Sequence, residues 1–216
     1  MEGIRDGNAR EAVAKYTGDR YTQHSAGVRD GVEGFVEFFE PFLARNPIRD
    51  IRVVRAIEDG QYVFVHVFQS LNHGQAKWVT MDMFDTDSYG KIIEHWDVIS
   101  KYLDETVSGH SMISGSSEVT DVDSTEQNKA LVREFLVEVF QNGNLERCSD
   151  YISTESYTQH SPMVADGIEG TVTFIKAQSE QGSAIRYDEI FMVIGQGNFV
   201  VSLSKVSMGE KSLAVF

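Results

Sequence analysis

Cysteine is nearly absent. Cys148, alone among 216 residues, cannot close an intrachain disulfide, which excludes the stapled frameworks of small secreted domains and fits a reducing, cytoplasmic compartment. Basic residues are also scarce: nineteen Lys and Arg against thirty-three Asp and Glu leave a formal charge of −14. Nucleic-acid phosphates and anionic membrane surfaces are repelled at long range by such a chain, so neither is expected as a partner. Long apolar runs are missing too. No stretch reaches the ~20 residues of a membrane span, and MEGIRDGNAREAVAKY lacks the apolar centre of a signal peptide. Absent as well are the glycine-rich phosphate loops, the Gly-x-Ser-x-Gly elbow, paired cysteines and helical His-x-x-x-His spacing, which argues against dinucleotide binding, a P-loop and a hydrolase elbow and leaves a metal without support. What is present suffices for packed cores, with 41% apolar and 11% aromatic residues.

The chain repeats itself. Tyr21-Thr22-Gln23-His24-Ser25 returns as Tyr157-Thr158-Gln159-His160-Ser161, and the offset of 136 persists through Asp30-Gly31-x-Glu33-Gly34 and Asp166-Gly167-x-Glu169-Gly170. A repeat of this length is a small domain rather than a solenoid unit. Residues 104–124 are rich in Ser and acidic groups, lack Lys and Arg, and carry little apolar material to offset the entropy of ordering. The reading is a domain over 1–103, a linker over 104–124 and a second domain over 125–216.

Local patterning gives an α+β class. Ser124-x-x-Gln127 reads as a capping box before an amphipathic helix that stops at Asn142-Gly143, with a second short helix over about 145–152. In the first repeat the counterpart of the longer helix is mostly missing. Asp30 and Asp166 are placed as helix N-caps with Glu33 and Glu169 reaching back, and Phe35, Phe38, Phe39 and Phe42 supply a buried helical face. Strands are expected over 50–57, 61–70, 76–85 and 91–99, then over 186–194 and 198–207. The second repeat therefore ends before any counterpart of Asp82 to Ile99.

Strand alternation selects the candidate chemistry. Phe64 and His66 share one face of their strand, Asp82 and Phe84 one face of theirs, and His95 and Asp97 oppose Glu94 and Trp96. Carboxylates among apolar neighbours lose hydration, which raises their proton affinity toward the range useful for proton transfer. Each residue also has a plainer reading: His66 as a hydrogen-bonded core histidine, His24 and His160 as partners of helix-terminal carbonyls, and Trp96 as core or pocket wall.

Taken together, Tyr21-x-Gln23-His24, Asp30-Gly31, Val65-His66, Asp82-x-Phe84 and the strand Gly90-Lys91-Ile92-Ile93-Glu94-His95-Trp96-Asp97 resemble the SnoaL-like polyketide cyclase branch of the nuclear transport factor 2-like (NTF2-like) superfamily. The resemblance covers both repeats and implies cone-shaped domains in tandem, with helices on a curved antiparallel sheet around an apolar pocket. It also implies dimerisation through the sheets, here as an intrachain pseudo-dimer or a homo-oligomer. For activity it implies cofactor-independent acid/base chemistry of aldol, isomerisation or dehydration type on a small apolar carbonyl compound. Asp97 would be the proton-transfer residue and His66 and Asp82 its catalytic partners. Tyr21, His24, Phe64, Phe84, His95 and Trp96 would bind substrate. The alternative is a non-catalytic binding or assembly module. The second repeat lacks Asp82 and the Glu-His-Trp-Asp strand, and its counterpart of His66 falls at Ser202 or Leu203, so it would not carry the same chemistry alone.

Overall fold

The computed structural model describes residues 1–216, which divide into two compact units, Met1–Tyr102 and Leu103–Phe216. In the first, helix α1 (Ala9–Tyr16), strand β1 (Thr17–Gln23) and helix α2 (Gly31–Arg45) precede four strands. These are β2 (Arg49–Asp59), β3 (Tyr62–Leu71), β4 (Ala76–Thr86) and β5 (Ile92–Lys101). They form one sheet in the order β1-β5-β4-β3-β2, with β1 parallel to β5 and every other pairing antiparallel. This is the expected α+β class, helices gathered on an antiparallel-rich sheet. Bulges between Val53 and Arg55 and between Asp85 and Thr86 interrupt the register and increase the local twist of the sheet.

The helices lie against the face of β1 that carries Tyr21. Val13 of α1, Tyr21 and Val36 of α2 form a buried cluster that Val32, Phe35 and Ile92 extend. The phenylalanines of α2 pack mainly on one another, Phe35 stacking on Phe39 at 4.2 Å. Phe38 is exposed rather than buried.

The Tyr21 segment was expected at the end of a helix and is a strand instead, because β5 offers it a parallel partner: Thr22 pairs with Glu94 and Gln23 with His95. The capping boxes do not form. Asp30 Oδ1 accepts a hydrogen bond from the Gln23 backbone N–H at 2.7 Å, and Asp166 does the same for Gln159 at 2.7 Å. Glu33 pairs with Arg10 rather than reaching back. Gly31 and Gly167 both hold φ at +78°, a conformation that costs glycine little. Gly34 and Gly170 let the helix start close over the Arg29 and Ala165 carbonyls, where a Cβ would collide. The repeated Asp-Gly-x-Glu-Gly thus encodes a turn stapled to the preceding Tyr-Thr-Gln-His run.

In the second unit a short 3₁₀ turn (Val122–Ser124) leads into α3 (Thr125–Phe135), whose last stretch, Leu136–Gln141, widens to a π-helix. Here too the expected Ser124 cap is absent, and Thr125 Oγ1 donates to the Val122 carbonyl instead. Another 3₁₀ turn (Leu145–Asp150), α4 (Gly167–Glu180) and the strands β6 (Ile185–Gln196), β7 (Phe199–Met208) and β8 (Lys211–Val215) follow, the strands in the order β6-β7-β8. The hairpin closes at Gln196 and Phe199 as the first closes at Asp59 and Tyr62, which makes buried Leu203 the positional counterpart of His66.

Residues 104–124, the segment expected to link the domains, are hydrogen-bonded to the second repeat motif. Ser108 Oγ donates to the Gln159 carbonyl, Val107 N–H to the Pro162 carbonyl, and His110 Nε2 pairs with Asp166 at 2.9 Å. His160 Nδ1 donates to the Ser111 carbonyl at 2.8 Å. Polar clips supply the order that apolar content does not, since Met112 is the one buried apolar residue of the segment. Asp166→Ala removes both the backbone staple and the His110 clip. Amide hydrogen exchange over residues 107–111 is expected to quicken about tenfold, with exchange in the first unit unchanged.

Candidate active site

The pairing of β3, β4 and β5 decides which candidates meet. Residues opposite one another in a ladder point to the same side. Val65, Asp82 and Asp97 form one such row, and Phe84, His95 and Gln23 form the next. Asp82, Phe84, His95 and Asp97 therefore share the helix-covered face with Tyr21 and Gln23. His66 pairs with Met81, and Met83 pairs with both Phe64 and Trp96. His66, Phe64 and Trp96 consequently point to the other face.

The expected triad of Asp97, His66 and Asp82 is corrected by this register. On its own face, His66 is 3% exposed and its Nδ1 lies 2.8 Å from an Arg55 guanidinium nitrogen. The guanidinium can only donate, so Nδ1 accepts. His24 is also on the far side, stacked on Trp96 with centroids 4.8 Å apart. Its Nε2 meets Glu94 Oε1 at 2.7 Å, while Arg20 holds the other Glu94 oxygen at 2.9 Å. Burial alone would raise the Glu94 carboxyl, yet the bonds from His24 and Arg20 leave it below its ordinary value.

On the helix-covered face the polar groups are linked. His95, 8% exposed, stacks on Phe84 and lies with Nε2 3.0 Å from Asp82 Oδ1 and Nδ1 2.7 Å from Gln23 Oε1. Thr80 Oγ1 donates to Asp82 Oδ2 at 2.9 Å. Ser25 Oγ donates to Asp97 Oδ2 at 3.2 Å, and Gln23 Nε2 donates to the Tyr21 hydroxyl at 3.2 Å. Burial raises the Asp97 carboxyl above its ordinary value; His95 and Ser25 pull against that and the neighbouring Asp82 adds to it. Burial likewise holds the Tyr21 phenol far above its usual range, so it stays a neutral hydroxyl.

Gln23 and Ser25 are members of this network that strand alternation did not single out, whereas Thr80 lies on the Asp82 face as alternation of that strand places it. Gln23 and Ser25 stood in the repeated motif, and the signal that would have found them was the β1–β5 pairing. No group of three or more His, Cys, Asp or Glu side chains is placed to hold a metal ion, and no helix is long and apolar enough to cross a membrane.

Two carboxylates, an imidazole, a phenol and two hydroxyls thus gather on one partly buried sheet face. Residues 1–95 match the sequence model of the SnoaL-like domain. No curated protein matches the chain. Among solved structures, a polyketide cyclase candidate from Bacillus cereus is 17% identical with a TM-score of 0.39, covering 44% of this chain and 65% of its own. One from Acidithiobacillus ferrooxidans is 20% identical with a TM-score of 0.40, covering 46% of this chain and 80% of its own. A SnoaL-like polyketide cyclase candidate from Jannaschia is 19% identical with a TM-score of 0.38, covering 45% and 76%.

Proposed function

We propose that the first unit is a cofactor-independent acid/base enzyme acting on a small apolar compound with an enolisable carbonyl, and that the second unit is a repeat of the same domain. The observation that carries this reading is Asp97, a carboxylate whose proton affinity is raised by burial, directly across the ladder from Asp82, which is hydrogen-bonded to His95.

Asp97 takes the proton from the α-carbon, the C–H pair becomes the C=C bond, and the carbonyl π pair moves to oxygen. That oxygen receives the proton held between His95 and Asp82, so the proton lost at carbon is balanced by the one gained at oxygen. The enol O–H proton then returns to the His95–Asp82 pair as the enol carbon attacks a second carbonyl whose oxygen takes the proton from Asp97, as a β-hydroxyl leaves as water with that proton, or as that proton is delivered to another carbon, which are the aldol, dehydration and isomerisation outcomes. Val63, Val65 and Val67 on the same sheet face supply the apolar surroundings.

Incubating the protein in D2O with a panel of simple ketones and 1,3-dicarbonyl compounds tests this by NMR. Catalysed deuteration at the α-carbon, above the buffer rate, is expected for at least one compound. A second reading, a binding module, is favoured by the engagement of both Asp82 oxygens, by His95 and by Thr80. Ligand-induced shifts without any deuteration across the panel would select that reading over the enzyme.

A further inference from the structure

We propose that Gln23 is a positioning residue that fixes which nitrogen of His95 carries hydrogen, and thereby forces a single transferable proton to lie between His95 Nε2 and Asp82 Oδ1. The catalytic use of that proton rests on the function proposed above, whereas its location follows from donor and acceptor geometry alone.

The orientation of the Gln23 amide is set by one obligate donor, and the hydroxyl on its other side is compatible with it. The Ser25 backbone N–H, which can only donate, faces Oε1 at 3.3 Å, and Nε2 faces the Tyr21 hydroxyl at 3.2 Å. Oxygen is therefore the atom 2.7 Å from His95 Nδ1, and an amide oxygen can only accept. Nδ1 must carry a hydrogen. A neutral imidazole with Nδ1–H presents a lone pair at Nε2, and Nε2 lies 3.0 Å from Asp82 Oδ1. Two lone pairs cannot face each other at that distance without a proton between them. The pair is either imidazolium with carboxylate or imidazole with carboxylic acid, and both forms hold the same one proton. Thr80 occupies Oδ2, so Oδ1 is the oxygen left for His95.

Two features within the chain act as controls. His66 has the opposite requirement, because Arg55 donates to its Nδ1 at 2.8 Å. Its hydrogen belongs on Nε2. In the second unit Gln159 keeps the same local brace, its Oε1 accepting from Ser161 N–H at 3.0 Å and its own N–H bound by Asp166, but no histidine meets it among the contacts found there. The backbone role of the glutamine is common to both units, and the imidazole contact belongs to the first.

The test is a long-range proton–nitrogen correlation spectrum of the full-length protein labelled with ¹⁵N-histidine, recorded at neutral pH and assigned with His95→Asn and His66→Asn. His95 is expected to show a protonated Nδ1 and His66 an unprotonated Nδ1 in the same spectrum. Gln23→Leu should lose the His95 Nδ1–H signal and leave the hydrogen on Nε2. Gln23→Glu, which still offers an acceptor, should retain it, and Gln159→Leu should leave His95 unchanged. An unprotonated His95 Nδ1 in the unaltered protein, or its persistence as Nδ1–H in folded Gln23→Leu, would overturn the proposal. Should Gln23→Leu not fold, the unaltered spectrum and Gln23→Glu decide it. Because no substrate is used, failure of the carbonyl screen and failure of this inference are separate results.

Discussion

Asp97→Asn is expected to lower catalysed deuteration by about 10²–10⁴-fold while raising the melting temperature of the first unit. The opposite signs come from one cause. Burial lifts the Asp97 carboxyl above its ordinary value of 3.8, so between that value and the raised one the folded protein holds a proton that the unfolded chain has released. Stability contributed by this group is present below the ordinary carboxylate range and is lost as pH rises through the raised value. At neutral pH the ionised side chain is therefore a burden on the fold, and the asparagine, uncharged and still able to accept from Ser25, removes it. Activity runs the other way, because only the ionised form can take a proton. The pH–rate profile of the unaltered protein should rise through a limb displaced above the usual aspartate value. Thermal melts at pH 7 and at pH 4 check the linkage, since the advantage of the variant should shrink at the lower pH. A variant that keeps full turnover removes Asp97 from the mechanism, and one that melts lower than the parent contradicts the assigned burial cost.

The largest loss of stability is expected at a residue without a side chain. A Cβ on Gly34 would run into the Arg29 carbonyl oxygen, and one on Gly170 into that of Ala165. Backbone is the obstacle in each case, so no rotamer change relieves the collision. Gly34→Ala should destabilise the first unit by about 2–4 kcal/mol, beyond the common range for single substitutions. Displacing the start of α2 also strains the Asp30 staple on Gln23, so the His95 signals should shift as well. Gly170→Ala should affect the second unit comparably and leave the His95 signals in place. Urea denaturation of each variant measures the first effect. A loss below about 0.5 kcal/mol for both would show that the helix start moves freely.

Much of the sheet was legible. The strands expected at 61–70 and 76–85 occur at Tyr62–Leu71 and Ala76–Thr86, because alternation of apolar and polar residues reports directly on a half-covered sheet. Which faces coincide was not legible. Alternation tells which residues of one strand stand together, but only the pairing Val65–Asp82 rather than His66–Asp82 separates His66 from the two aspartates. A shift of one residue would have reversed that outcome.

The repeated pentapeptide shows the other limit. Tyr21 to Gln23 lie in a strand, whereas Tyr157 to Ser161 take no regular structure, although the residues are identical. The difference lies in the neighbour: β5 in the first case, the segment around Ser108 and Ser111 in the second. No local signal encodes a conformation that a distant partner imposes. The contacts of the serine-rich segment were hidden for a related reason, since they are polar clips to the repeat motif rather than apolar burial.

The parallel pairing of β1 with β5 also governs when the site can come into being. Gln23 and His95 are 72 residues apart, as are Ser25 and Asp97, and they meet only across the one ladder that joins the beginning of the first unit to its end. During synthesis the meander of β2, β3 and β4 can zip through neighbouring hairpins, while the helical portion waits for β5 to emerge from the ribosome. The polar network and the completed topology therefore arrive together, and a nascent chain that stalls before β5 leaves Gln23 and Ser25 with neither of their distant partners.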